Sequence, residues 1–287
     1  MLGFAKLLKR LVPLLPRRIR QVLVRRQVNL PLEIPQGITT KIVNTTAELE
    51  QCFRLIYQSY LPLGYCSPNS HEMYASIYHA LPTTTTLIAK DGERVVGTLT
   101  VVRDNRLGLP LERVFKVGSL RTRSRRLAEI TSLVVHPDYR RANGGAVLFA
   151  LLKLMYEYST KHFGVNHLVI AVHPKNAYFY TDLLMFNKIL GNPVKDYLGA
   201  PARVLELDLA EAHHRYKKEF SGRPRQKNLF DFFVERDFVN VQLPERDYHR
   251  INDPLVDEPY FKTLFLEQLS VTAKLTGEER RKIENVF

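Results

Sequence analysis

The sequence predicts an α/β (α+β) fold with a central mixed, twisted sheet flanked by helices. Two observations carry this expectation. Thr84–Lys90 and Arg94–Arg103 alternate in hydrophobicity around Asp91-Gly92, the signature of an antiparallel hairpin. A strand–loop–helix–strand–helix succession then runs from Ala128 to Tyr180. Antiparallel pairing beside a helical crossover gives a mixed sheet, and each amphipathic helix must bury its apolar stripe against that sheet.

Residues 1–30 hold eight Lys and Arg and no acid. Phe4, Leu7, Leu8, Leu11 and Val12 recur at helical spacing, as do Ile19, Val22 and Leu23. Pro13 and Pro16 divide the stretch into two short basic amphipathic helices. Such helices either lie on an anionic membrane or pack on the domain with a charged face in water. Arginines follow the apolar run and no small-residue cleavage site is clear, which argues against a signal peptide. Leu30–Gly37 reads as a linker, and the basic segment is placed at 1–34.

From Thr39 the pattern is globular. Lys41–Val43 suits a short strand. Thr46-Ala47-Glu48-Leu49 is half of a helix-start signal, continued by Phe53, Ile56 and Tyr57. Leu63–His71 is a loop by its Gly, Pro, Ser and Asn content. Within it, His71 is either a general base or an ordinary solvent-facing histidine. The stretch around Leu107–Arg126 is loop-like and basic, with Arg106, Arg113, Lys116, Arg121, Arg123, Arg125 and Arg126 against few acids. A charge run is ordinarily a solvated face. Its position directly before the next strand makes this one a docking candidate as well.

Ala128–Val135 is that strand, and it carries one carboxylate, Glu129. The loop Arg140-Arg141-Ala142-Asn143-Gly144-Gly145-Ala146 follows and opens an amphipathic run to about Phe163. Its backbone N–H groups and arginines at a helix start make an anion site. Leu168–Val172 is a second strand, leading through Asn176 to Tyr180, a residue able to return a proton. Lys188–Leu190 and Ala202–Leu209 read as short strands, so the core domain is placed at 35–209. Residues 210–287 read as a small helical appendage. They are polar to about Arg250 and amphipathic at Tyr260–Leu269, with a capping box at Thr276-x-x-Glu279.

The formal charge of +13 implies an acidic partner: a nucleic acid, an anionic membrane, a phosphorylated cofactor or an acidic protein. No recognised helix-turn-helix or zinc pattern supports specific reading of nucleic acid. Cys52 and Cys66 give neither a metal-ligand pattern nor a disulfide framework, which suits a reducing cytoplasm. No apolar run reaches the roughly 18 residues needed to span a bilayer. The expected location is therefore the cytoplasm, with a peripheral membrane contact if residues 1–30 supply one.

Arg141-x-x-Gly144-x-Ala146 fits the Arg/Gln-x-x-Gly-x-Gly/Ala pyrophosphate loop of the GNAT acyltransferase superfamily, and its setting between a strand and a helix resembles that superfamily too. A closer resemblance, over about residues 39–192, is to the long-chain N-acyl amino acid synthases, a GNAT-like family related to acyl-homoserine-lactone synthases. Gly64-Tyr65-Cys66-Ser67-Pro68-Asn69, Leu81-Pro82-Thr83-Thr84, Val96-Gly97-Thr98-Leu99-Thr100, Leu107-Gly108-Leu109-Pro110-Leu111, Ala128-Glu129-Ile130 and His173-Pro174 with Phe179-Tyr180 carry it.

The resemblance implies transfer of a fatty acyl group from acyl carrier protein to the amine of an amino acid, tyrosine being one acceptor in the family. The donor is a thioester on phosphopantetheine, used as a co-substrate with no tightly bound cofactor. Its phosphate would sit at Arg140, Arg141, Asn143, Gly144, Gly145 and Ala146. The acidic carrier would dock on the basic 113–126 run or the arginine-rich start of the chain. Glu129 matches the strand glutamate of these synthases and is the expected general base; its other reading is a structural salt bridge to an arginine. Backbone N–H groups around Leu133, Val134 and Val135 would meet the oxyanion. Tyr180 occupies the general-acid position of many GNAT enzymes, or else packs as part of an aromatic helix face.

Two departures stand out. Thr131-Ser132 follows the glutamate where the lactone synthases carry Ser-Arg, which argues against binding S-adenosylmethionine in their manner. Met185-Phe186 stands where GNAT chains usually have Gly-Phe. Two further readings remain: an acyl-CoA-dependent GNAT N-acyltransferase, acetyl transfer being its simplest form, and a non-catalytic basic membrane- or nucleic-acid-binding protein on this fold.

Overall fold

A computed structural model describes residues 15–122, 124–245, 255–284 and 286 of the chain. The strands are β1 (Ile38–Ile42), β2 (Thr84–Asp91), β3 (Arg94–Arg103), β4 (Leu127–Val135), β5 (His167–Val172), β6 (Asn187–Lys188), β7 (Lys195–Tyr197) and β8 (Ala200–Asp208). They form one sheet in the order β1-β2-β3-β4-β5-β8-β6, with β7 paired to β8. Of these pairings β4 with β5 is parallel and the rest are antiparallel, so the sheet is mixed, as the sequence predicts.

The hairpin closes with Asp91 opposite Arg94, and Gly92 takes φ 56° in the turn. A left-handed residue there matches the right-handed twist of the flanking strands. Helix α1 is Arg17–Gln27, α2 is Thr46–Tyr60, α3 is Ala146–Glu157 and α4 is Leu209–Phe220. Thr45 caps α2, accepting the Glu48 backbone N–H at 3.2 Å, one residue before the expected start signal.

The two sheet faces are covered by different helices. Gly97 of β3 lies under α3, and a Cβ there would come within 2.9 Å of Leu151 and Val147. Only glycine allows helix and strand this close. On the opposite face, Phe53 and Ile56 of α2 share a cluster with Ile88, Val102 and Val134. The expected amphipathic character of α3 is corrected: eleven of its twelve residues are buried. Its outer side is covered by Tyr216, Phe220, Phe232 and Phe233, which belong to the same cluster as its inner side. Residues from the stretch read as an appendage thus help to build the core. The last elements, α5 (Glu258–Tyr260, continuing through Phe261–Gln268) and α6 (Gly277–Glu284), close the α2 face with Phe261, Leu264, Phe265 and Ile283.

The basic helix α1 and the residues that follow it also pack inward. Arg20 pairs with the buried Asp182, and Arg25 pairs with Glu219 at 2.5 Å. Arg25 Nε donates to the Asp182 carbonyl at 3.0 Å, and Val28, Leu30 and Ile34 enter the core. The expected helix at Phe4–Val12 lies outside the described residues. Among the described residues, no helix is long and apolar enough to cross a membrane.

Candidate active site

The site is built on β4. Its pairing with β5 runs from Leu127↔His167 to Ile130↔Ile170 and stops there. Thr131–Val135 continue beside β3 alone, where the register slips so that Ser132 and Leu133 oppose Leu99. This bulge holds Ser132 at φ 51°. A left-handed serine costs free energy, a cost that recurs at functional sites. The bulge takes an extra residue's backbone out of the ladder just where the neighbouring strand departs.

The parting opens a cleft of about 470 Å³. Tyr60 of α2 lines it from one face of the sheet, and Leu152 and Met155 of α3 line it from the other. The cleft therefore passes through the sheet between the two strands. Glu129, Leu133, Val134, Val135, Arg140 and Tyr180 all border it. Six residues singled out in the sequence are thus brought to one opening.

Glu129 is 1% exposed. Its Oε2 accepts the Leu111 backbone N–H at 2.8 Å. Burial pushes its pKa up to about 8, opposed by that hydrogen bond and aided by the nearby charge of Glu112. Leu111 reaches it because 107–120 is not a solvated loop. Leu109, Leu111, Phe115, Val117 and Leu120 are buried against Leu127 and Val169. No ion pair to an arginine is formed by Glu129 among the described residues.

Tyr180 packs edge-on against Phe179 and Phe186, with ring centroids 5.3 and 5.8 Å apart, while bordering the cleft. Burial pushes its hydroxyl up to about 12. Packing and access to the cleft are both present.

The Gly-containing loop lies between the cleft-lining Arg140 and α3. Arg140 Nε donates to the Val135 carbonyl at 2.9 Å, tying the loop to the end of β4. Asn143, Gly144 and Gly145 follow at φ 48°, 69° and 83°. This left-handed run delivers the chain into α3 at Ala146 with no side-chain cap, leaving its first N–H groups for another acceptor. Arg141, Asn143 and Gly144 are exposed; Gly145 and Ala146 are buried.

The basic run before β4 is partly neutralised. Arg121 pairs with Asp104 at 2.7 Å and with Glu112, and Arg113 pairs with Glu279 at 3.1 Å. Arg123 lies outside the described residues. His71 sits away from the cleft, with its carbonyl accepting from Arg54.

Sequence reasoning missed Tyr60, Tyr65 and Tyr197, which line the cleft, and His79, which is held behind Ser132. The recurrence of Tyr57, Tyr60, Tyr65, Tyr74 and Tyr78 was the available signal. A second cavity of about 670 Å³ lies on the α2 face, with Leu49, Leu81, Leu243 and Val256 in its wall beside His79, Thr84 and Thr86.

The family model described as N-acyl amino acid synthase FeeM matches residues 51–208. No curated protein sequence matches the chain. Among solved structures, it is similar to FeeM, an N-acyl amino acid synthase from uncultured soil microbes. Identity is 25% and the TM-score 0.51, over 62% of this chain and 93% of that one. The acyl-homoserine-lactone (AHL) synthase LasI shares the fold at 14% identity and TM-score 0.50, over 60% of this chain and 90% of that one. The matched span contains the parted strands, the bulge, Glu129 and the glycine loop, so the chain belongs to the FeeM family of N-acyl amino acid synthases, acyltransferase enzymes on a GNAT-like fold.

Proposed function

We propose that the enzyme moves a long-chain fatty acyl group from acyl carrier protein to the α-amine of an amino acid, with Glu129 as general base. The observation that carries this reading is a buried, hydrogen-bonded carboxylate at the point where β4 leaves β5. An acceptor arrives as an ammonium ion and must lose a proton before it can attack. A carboxylate whose pKa is raised to about 8 is well matched to take that proton.

The freed amine attacks the thioester carbonyl, and a C–N bond forms as the carbonyl oxygen becomes an oxyanion. Backbone N–H groups around Leu133–Val135 stabilise that charge. The C–S bond then breaks as Tyr180 protonates the departing thiolate of the phosphopantetheine arm. The nitrogen, which still carries two protons after its attack, gives one of them back to the tyrosinate. The ammonium thus loses two protons in all, one to Glu129 and one by way of Tyr180 to the thiol. The products are an amide and a free thiol. The phosphate of the arm is read onto Arg140, Arg141, Asn143, Gly144, Gly145 and Ala146, where open N–H groups and guanidinium charge favour an anion.

The donor approaches from the α3 side and the acceptor from the tyrosine-lined α2 side. The larger cavity on the α2 face, with Leu49, Leu81, Leu243 and Val256 in its wall beside polar side chains such as His79, Thr84 and Thr86, is the space this reading gives to the acyl chain. The acidic carrier protein is read onto the 113–126 run, of which Arg113 and Arg121 are already committed to acids. The same reading places the enzyme in the cytoplasm. Membrane contact would fall to Lys6, Lys9 and Arg10, since Arg20 and Arg25 are engaged inside the protein.

Mass spectrometry of lipid extracts from cells expressing the enzyme tests this, with Glu129→Gln as control. A Glu129-dependent series of N-acyl amino acids is expected. No new lipid in cells, together with no transfer from acyl carrier protein or acyl-CoA to amino acids by the purified enzyme, would refute it.

A further inference from the structure

One wall of the cleft is the segment Phe179–Phe186, of which Tyr180, Leu184 and Phe186 border the opening. Its backbone is unusual. Phe179–Leu183 is a single π-helical turn, with the Leu184 N–H donating to the Phe179 carbonyl at 3.2 Å. The Phe186 N–H then reaches back to the Tyr180 carbonyl at 2.9 Å, across Met185 at φ 62°. Glycine ordinarily fills that left-handed position, so a methionine there is strained and must be held by its surroundings. π turns are rare and recur at functional sites.

The holding comes from two helices that do not border the cleft. Arg25 Nε of α1 donates to the Asp182 carbonyl at 3.0 Å. From α4, the Tyr216 hydroxyl donates to the Leu184 carbonyl at 2.8 Å, and Arg215 Nη1 to the Met185 carbonyl at 3.1 Å. The Asp182 carboxylate, fully buried, adds a second grip. It takes Arg20 as a fork, Nε to Oδ2 and Nη2 to Oδ1 at 3.3 Å, while Thr181 Oγ1 donates to Oδ1 at 3.2 Å. Arg25 links the two helices, since its Nη1 also meets Glu219 of α4. Both helices lie outside residues 51–208, the span matched by the family model.

A buried ion pair is a poor source of stability, because an apolar pair of similar volume does as well or better. What a guanidinium–carboxylate fork supplies is fixed distance and direction. Here that fork sits two residues from Tyr180, on the same turn. We propose that Arg20, Arg25 and Asp182 are positioning residues for acyl transfer: by clamping the π turn they set where Tyr180 stands in the cleft wall, and so tie the basic helix α1 to the leaving-group end of the reaction. The proposal rests on the acyl-transfer reading above. Displacing a reacting group by about 1 Å can cost about 100-fold in rate, which is the scale on which such a clamp acts.

The test uses the full-length enzyme and an acyl-carrier-protein thioester. Arg20→Met combined with Asp182→Leu exchanges the fork for an apolar pair and leaves no unpaired charge, so the protein should melt as wild type does. Its kcat should fall by about 10- to 100-fold with little change in acceptor KM. Asp182→Asn keeps the side chain's shape and one acceptor oxygen, and should fall between the two. Tyr180→Phe should also lower kcat, and adding the apolar pair to it should cost almost nothing more, because the clamp acts through that residue. Where the apolar pair melts early, Asp182→Asn carries the same cycle. Losses that multiply, an unchanged kcat in the apolar pair, or a Tyr180→Phe that turns over like wild type overturn the proposal.

Hydrogen exchange without substrate gives a reading independent of activity. Amides of residues 180–186 should exchange faster in the apolar-pair variant, while those of β4 and β5 keep their protection. Equal exchange in the segment, or faster exchange throughout the protein, overturns the clamp whatever the turnover. The expected exchange pattern, with no acyl transfer by wild type from any donor, would instead sink the acyl-transfer reading and the positioning role with it.

Discussion

Under α3, the sheet presents Leu87, Leu99, Val101 and Ile130 to Val147, Leu151 and Leu154 in a tightly packed apolar layer. Under α2, the same strands present Thr84, Thr86, Thr98, Thr100 and Glu129, all buried, with His79 and Ser132 beside them. Alternation along a strand sends neighbouring residues to opposite faces, so Glu129 and Ile130 belong to different chemistries one residue apart. The apolar face gains free energy from burial. The polar face gives some of it back, because a buried polar group needs a partner merely to break even. The cleft lies where β4 and β5 part and the two faces meet. Both faces bury an apolar core, and the α2 face in addition buries Glu129, His79 and Ser132 close to the cleft.

The largest effect that would sharpen this comparison is on turnover. Glu129→Gln should reduce kcat by about 10² to 10⁴-fold, the usual range for a general base, while leaving donor binding intact. Its stability should move the other way. The folded-state pKa of Glu129 is raised from 4.5 to about 8. The stability linked to that raised pKa is fully present below about 4.5 and is lost as pH rises through about 8. Wild type should therefore lose melting temperature relative to Glu129→Gln as pH goes from 5 to about 9, as differential scanning calorimetry can follow. A difference that does not vary with pH would mean that Glu129 is not buried as described.

Next in size is a change on the apolar face. Gly97→Val would force a side chain into Leu151 and Val147 and should cost about 1–3 kcal/mol by chemical denaturation. The folded fraction should keep its turnover. An unchanged stability would show that α3 does not rest on β3 so closely.

The smallest effect is expected at Thr100, whose hydroxyl finds no hydrogen-bond partner among the described residues. Thr100→Val should leave stability unchanged or raise it by up to about 1 kcal/mol, since no bond is lost and a desolvated hydroxyl is removed. A clear loss of stability would show that the hydroxyl has a partner after all.

Parts of this were legible in the sequence because they are local. The Asp91-Gly92 hairpin, the β4 strand with its single carboxylate, and the glycine loop before α3 each follow from a few adjacent residues, and each is where it was expected. The rest depends on contacts far apart in the chain. Arg20 and Arg25 look like surface charge until Asp182 and Glu219 are placed beside them. Helix α3 looks amphipathic until Tyr216 and Phe233 cover its polar side, where Lys153 Nζ bonds the Phe233 carbonyl at 3.2 Å. The bulge at Ser132 leaves no mark in composition, because nothing about serine calls for a positive φ. The environment of Glu129 is fixed by Leu111, from a stretch that charge alone marks as solvated.

The central claim is that a carboxylate held between two unlike faces takes the proton from the acceptor amine. The pH dependence of kcat/KM for acyl transfer to a fixed amino acid, in wild type and Glu129→Gln, tests it most directly. Wild type should show a rising limb near about pH 8, the pKa set by burial of Glu129, and the limb should be absent from the residual activity of the variant. The same limb in both proteins would assign it to the acceptor amine and contradict the role given to Glu129.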